Sequence, residues 1–217
     1  VVTAGLVLRS RHLAAPTAGE LLLLDAAERT QAAAMVPAAA ERFLAGRVAQ
    51  RHFVAELLRV QPTELAAAYH CPTCGNGAEV NHGRPGYQIA GEQAPLALST
   101  SRAAGWILLA AVLHPGPGVR LGVDIEDPAA TSFAGFGAVA LTAAERDVLA
   151  PLAGSALLAA QARLWARKEA WLKMTGQGLL TPPAEVDVLA RPGLRDLSPA
   201  ETGLPAFLAA AVVLHRP

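Results

Sequence analysis

Asp124 and Glu126 stand two residues apart in VRLGVDIED (119–127), and Glu169 and Lys173 stand four apart in WARKEAWLKMTGQGL (165–179). Val119, Leu121, Val123 and Ile125 alternate with Arg120, Gly122, Asp124 and Glu126, a period-two pattern that puts both carboxylates on one face of a strand. Two ionised carboxylates so close repel each other and ask for a cation between them. A solvated strand face with salt bridges satisfies the same pattern. Glu169 and Lys173 share one side of a helix, with Trp165 a turn earlier, and such a pair adds only about 0.2–0.5 kcal/mol to helix stability. If that helix packs beside the strand, Asp124, Glu126 and Glu169 meet. Three hard oxygen donors suit Mg²⁺, which is commonly bound together with substrate phosphates. Neither His nor Cys accompanies these acids, which argues against zinc at this point. Lys173 and one or more of Arg42, Arg51 and Arg84 can then neutralise a phosphorylated ligand. The chemistry implied is magnesium-assisted phosphoryl-type transfer or phosphate-ester hydrolysis, without a Walker or kinase signature.

The elements that must position these residues are legible in outline. Residues 155–175 read as the longest helix, from a cap at Ser155 to a stop at Gly176. Ala26 to Leu58 is helical with a break at Pro37. Arg47 and Arg51 share a face of that segment and Arg42 lies somewhat off it, an arrangement ordinarily found on a solvated face. LALSTS (96–101) reads as a short strand ending in hydroxyls, and HPGPG (114–118) is the densest turn signal. LTAAERDVLA (141–150) opens with a capping-box pattern from Thr142 to Glu145. VVTAGLVLR (1–9) and GELLLLD (19–25) read as strand or early helix, while AEVDVLA, LRDLS and FLAAAVVL read as strands of a closing sheet. Strand-like segments thus occur in both halves, each with a long helical piece. The division falls at the turn, into 1–115 and 116–217.

Composition excludes several classes. Lys plus Arg equals Asp plus Glu at 18 apiece, so no net field holds a nucleic acid. The apolar runs 103–113 and 204–214 fall well short of the roughly 20 residues a bilayer-spanning helix needs. No basic flank or cleavage site of a secretory signal is present at the N-terminus, and the expected location is the cytoplasm. Two cysteines in CPTCG (71–75) are too few for a disulfide framework. With His70 and His82 they can be drawn as a zinc knuckle, but a loop turn held by Pro72, Gly75 and Gly77 is the simpler reading.

These segments resemble the 4′-phosphopantetheinyl transferases, specifically the larger pseudo-dimeric type that serves carrier proteins of fatty-acid, polyketide and nonribosomal peptide synthesis. GVDIE (122–126) is similar to that family's Gly-[Val/Ile]-Asp-x-Glu motif. WARKEAWLKMTGQGL (165–179) is similar to its Trp-x-x-Lys-Glu-Ala-x-x-Lys-x-x-Gly-x-Gly-Leu motif. HGRP (82–85) resembles its His-Gly-[Lys/Arg]-Pro segment, and CPTCG is similar to what actinobacterial members carry there. The resemblance spans about residues 28–180.

The resemblance implies an α+β fold of two similar lobes, each a small antiparallel sheet packed on a long helix, with coenzyme A between them. It implies Asp124, Glu126 and Glu169 as Mg²⁺ ligands, Glu169 as the base toward the acceptor serine, and Lys173 on the pyrophosphate. Arg42, Arg51, Arg84, Pro85, Ser99 and Thr100 join Asp124 and Lys173 in the coenzyme A set. Trp165 and Lys168 position the helix. The partners implied are an apo acyl or peptidyl carrier protein and coenzyme A, and the chain is expected to be a monomer. One departure stands out: STS (99–101) replaces the family's Ser-His-Ser, and Thr100 supplies one neutral hydrogen bond where a histidine normally contacts a phosphate. Weaker coenzyme A binding is the expected consequence. The different-class alternatives are an inert coenzyme A or carrier-protein binding module of the same fold, and another magnesium-dependent phosphotransferase or hydrolase.

Overall fold

The structure is a computed structural model of the chain, and it describes residues 2–3, 5–71, 75–76, 80 and 83–217. Eight elements place the site: β1 (Leu6–His12), α1 (Pro37–Leu58), β2 (Leu96–Ala103), β3 (Trp106–Leu113), β4 (Arg120–Glu126), α2 (Gly154–Thr175), β5 (Leu194–Asp196) and β6 (Ala209–His215). Both long helices run 22 residues. α1 starts at Pro37, whose missing N–H costs nothing in a first turn, and stops where Arg59 turns left-handed. α2 stops at Gly176, at φ 79°, as the sequence predicts. Its start differs: the cap position is Ala153, and no side chain caps it.

Two antiparallel sheets face each other between the helices. One runs Val2–Thr3, β1, β3, β2, and the other runs β4, β6, β5. β2 and β3 form a hairpin from Leu96 opposite Leu113 to Ala103 opposite Trp106, closed by Ala104 and Gly105 at positive φ. β4 pairs with β6 from Arg120 opposite His215 to Glu126 opposite Ala209. Strand alternation divides the apolar residues between layers. Ile107, Leu109 and Ala111 of β3 pack with Phe53 and Val54 of α1. Leu108, Ala110 and Val112 face the second sheet, where they meet Leu121, Val123 and Ile125 of β4 and Val212 of β6. Ala211 and Val213 turn the other way, onto Ala166, Ala170 and Met174 of α2. The order of layers is therefore helix, sheet, sheet, helix, a mixed α and β architecture with small antiparallel sheets.

Gly122 explains how closely α2 approaches β4. A Cβ built there would come within 1.9 Å of the Ala170 carbonyl oxygen and 2.8 Å of the Met174 nitrogen. Only a glycine lets the helix backbone lie on this strand, and that contact brings Glu169 and Lys173 to the acids of β4.

AEVDVLA (184–190) does not form the expected strand. Pro183–Glu185 is a 3₁₀ turn and the following residues pair with no sheet. Val186 and Val188 are buried as their alternation suggests. Their backbone groups, however, bond to side chains instead of a ladder. Lys168 donates to the Pro183 and Val186 carbonyls, Arg167 donates to the Val188 and Leu189 carbonyls, and the Val188 N–H donates to Glu145. Of the two readings of residues 19–25, strand or early helix, the helical one holds at their start, where a capping box at Thr17 begins a one-turn helix, Ala18–Leu21. His70–Cys71 pairs with Gly75–Asn76, and Cys71 is buried; Pro72, Cys74, Gly77 and His82 lie outside the described residues. No helix among the described residues is long and apolar enough to cross a membrane.

Candidate active site

β2 is the last strand of its sheet and β4 the last of the other, and these two edges lie side by side. An edge strand leaves backbone groups without ladder partners. Here side chains supply them. The Val123 N–H donates to Ser99 Oγ at 3.0 Å. Ser101 Oγ donates to Asp124 Oδ1 at 2.6 Å. From α2, the Lys173 ammonium donates to the Thr100 carbonyl and the Val123 carbonyl, each at 3.3 Å, and to Asp124 Oδ1 at 2.6 Å. One lysine thus uses all three protons to join a helix and the facing edges of two sheets.

Asp124 is 2% exposed, and its second oxygen, Oδ2, is buried without a standing donor. Burial pushes its carboxyl above the usual range, against the pull of Lys173 and Ser101. Glu126 is pushed up to about 8 by burial and then by the charges of Asp124 and Glu169, which outweigh Lys173. Glu169 is raised by burial and by Asp124. Glu126 therefore feels the charges of Asp124 and Glu169, and Glu169 that of Asp124, with Lys173 as the cation that opposes them. Glu126 and Asp124 stand beside each other, and their protons belong to the pair.

A divalent cation fits this donor set in its chemistry. The oxygens are hard, Asp124 Oδ2 lacks a partner, and the charge of neighbouring carboxylates adds to burial in raising Glu126 and Glu169. Among the described residues, no three His, Cys, Asp or Glu side chains stand close enough together to enclose a metal.

Lys173 also lines a cleft of about 200 Å³, together with Arg47, Tyr69, Arg84, Pro85, Leu98, Ser99, Thr100 and the loop glycines 83, 176 and 178. Arg84 donates to the Met174 carbonyl at 2.9 Å, which places a cation at the negative end of α2. Gly176 makes room for it, since a Cβ there would lie 2.7 Å from the guanidinium. Burial and the charge of Arg120 depress Arg84, while burial and then Arg47 and Arg42 depress Arg102. The cleft wall is cationic where the neighbouring acid cluster is anionic.

Arg84, Pro85, Ser99, Thr100 and Lys173 are brought together in this cleft, and Lys173 links it to Asp124, Glu126 and Glu169. Two other residues go elsewhere. Arg51 is 1% exposed, paired with Asp25 at 2.7 Å and Glu28 at 3.2 Å, and bonded to the Leu65 carbonyl. Its charge is spent inside the protein. Arg42 lies in a separate groove with Met35, Phe43, Arg102 and Trp106, where its carbonyl accepts from Arg102. Sequence reasoning left Arg47 on a solvated face and passed over Tyr69 and Ser101. Arg47 carried a signal, an aromatic residue four positions before it: its guanidinium stacks 4.8 Å from the Phe43 ring centroid and 4.2 Å from that of Tyr69. Ser101 lies two residues after Ser99 and so shares its strand face. Tyr69 had no local signal.

No curated protein matches the chain. Residues 120–200 match the family profile described as the 4′-phosphopantetheinyl transferase superfamily. The segment that carries Asp124, Glu126, Glu169 and Lys173 is therefore similar to the 4′-phosphopantetheinyl transferase superfamily.

Proposed function

We propose that this chain transfers the 4′-phosphopantetheine group from coenzyme A to a serine of an acyl or peptidyl carrier protein, releasing adenosine 3′,5′-bisphosphate. The observation that carries the reading is the junction at Lys173, where a cationic cleft meets one buried and two half-buried carboxylates carrying more negative charge than one ammonium offsets. The family match over the same segment supports it. The partners on this reading are an apo carrier protein of polyketide or nonribosomal peptide synthesis and coenzyme A. The chain acts as a cytoplasmic monomer of the pseudo-dimeric type, with lobes 1–115 and 116–217.

Arg47, Arg84 and Lys173 hold the phosphates of coenzyme A by charge, and Ser99, Thr100 and Pro85 shape the wall between them. Asp124, Glu126 and Glu169 are the residues that would hold Mg²⁺. When bound, the ion supplies charge neutralisation for the pyrophosphate and for the transferring phosphoryl group. Glu169, raised by burial and by Asp124, is a stronger base than an exposed glutamate. Directly or through a water, it takes the proton of the acceptor serine. The serine oxygen bonds to the β-phosphorus, and the bond from that phosphorus to the bridging oxygen breaks. The bridging oxygen leaves with adenosine 3′,5′-bisphosphate, whose charge Lys173 and Arg84 stabilise. Ser101 holds Asp124 in place through its hydrogen bond.

The test is mass spectrometry of purified apo carrier proteins incubated with the chain, coenzyme A and Mg²⁺. A mass gain of one phosphopantetheinyl group with equimolar adenosine bisphosphate is expected. Coenzyme A binding without transfer to any of several carriers would replace the transferase with an inert binding module.

A further inference from the structure

Arg47 reaches the cleft wall through a buried polar network that begins outside the cleft. Glu28, in the helix Ala26–Ala33, is 1% exposed. Its Oε2 accepts from the Asp25 N–H at 3.1 Å and from Arg51 at 3.2 Å. Its Oε1 accepts from the Tyr69 hydroxyl at 3.3 Å and lies 3.7 Å from Arg47 Nε. Tyr69 in turn receives hydrogen bonds from Arg47 and from Gln50. Arg47 therefore lies against two aromatic rings, Phe43 and Tyr69, with a carboxylate near its Nε. Its side chain keeps 15% exposure, on the wall shared with Thr100, Arg84 and Lys173.

We infer that Glu28 is a positioning residue for coenzyme A: it acts through Tyr69 and Arg47 and so couples the helix Ala26–Ala33 to phosphate binding in the cleft. This rests on the transferase reading above. An arginine that must be ordered on binding loses affinity for its ligand, whereas one already held does not. Glu28 spends one oxygen on holding the fold, with Asp25 and Arg51, and the other on aiming the cleft's tyrosine and arginine.

Calorimetric titration of coenzyme A into the full chain tests this, alongside transfer kinetics. Glu28→Gln keeps the shape and removes the charge. Its Kd and KM for coenzyme A should rise about three- to tenfold, the expected cost of one unordered long side chain, while kcat stays within about twofold. A purely structural role would instead lower the active fraction and kcat at unchanged KM. In an Arg47→Ala background the Glu28→Gln effect should vanish, because the two act as one unit. Tyr69→Phe keeps the ring and loses the hydroxyl, and about a threefold rise is expected; it decides the matter if Glu28→Gln does not fold. Unchanged Kd in the folded variants, or a full Glu28→Gln effect without Arg47, overturns this inference alone. No coenzyme A binding by the unaltered chain overturns the transferase reading and this inference with it.

Discussion

Charge along the two long helices is buried in two opposite ways. Beside α1, Arg51 meets Asp25 and Glu28, so a buried cation has its acids at hand. On the side of α2 away from β4, Lys168 and Glu145 form a 2.6 Å pair with both side chains fully buried. Where α2 faces β4, however, Asp124, Glu126 and Glu169 share the single ammonium of Lys173; burial raises all three carboxyls, and neighbouring carboxylates raise Glu126 and Glu169 further. Balanced buried charge builds structure. Unbalanced buried charge is costly to folding and is retained where a ligand completes it.

The largest expected effect follows from Glu169. Glu169→Gln should lower the rate of carrier-protein modification by about 10²–10⁴, the range for loss of a general base, with the melting temperature unchanged or higher because a repelling charge has gone. A variant that loses stability as well as activity would place Glu169 with the balanced pairs and break the contrast.

Next in size is Glu145→Gln. Lys168 would then be buried without its ion-pair partner, left with neutral acceptors such as the Pro183 and Val186 carbonyls. Breaking a buried pair by removing one partner costs about 3–5 kcal/mol, which lowers Tm by roughly 6–20 °C in a chain of this size. Thermal unfolding followed by circular dichroism checks it. A melting temperature within a few degrees of the parent's would show that this pair is not the structural counterpart of the acid cluster.

Glu126→Gln sharpens the contrast through pH. The folded carboxyl titrates near 8, against an ordinary 4.5, so the proton binds the folded state more tightly. The resulting stability is complete below about pH 4.5 and is lost as pH rises through about 8. The parent should therefore lose melting temperature between about pH 5 and pH 9 more steeply than Glu126→Gln, which mimics the protonated form throughout. Added Mg²⁺ should restore the parent more at the alkaline end, where protons no longer compete for the carboxylates. Parallel curves with and without Glu126 would mean the acids do not share their charge.

The balanced and unbalanced sites were unequally legible in the sequence. The break at Pro37, the capping box at Thr142 and Glu145, the stop at Gly176 and the alternation of β4 are local signals, and each appears where periodicity or a cap puts it. Asp124, Glu126, Glu169 and Lys173 stood out because two short motifs hold them. Arg51 misled, because a sequence does not show that Asp25 and Glu28 wait 26 and 23 residues earlier. Residues 184–190 misled for the same reason: burial of Val186 and Val188 produces alternation whether a ladder or the side chains of Lys168, Arg167 and Glu145 satisfy the backbone. The partners of Lys173 were invisible too. It pairs with Asp124, not with Glu169 one turn away.

The smallest effect is expected at Thr100. Its side chain stands in the cleft where the resembling family carries histidine, while its carbonyl is held by Lys173. Thr100→His restores a ring donor toward the phosphates without disturbing that backbone bond. Arg47, Arg84 and Lys173 already face the same space, so the added group supplements three cations and replaces none. One further hydrogen bond contributes about 1 kcal/mol, or about a fivefold gain in coenzyme A affinity. Titration of both proteins at one salt concentration measures it. A gain confirms that position 100 faces the phosphates; no gain shows that the three cations already saturate the cleft, leaving the cationic wall rather than the serine strand as the counterpart of the acid cluster.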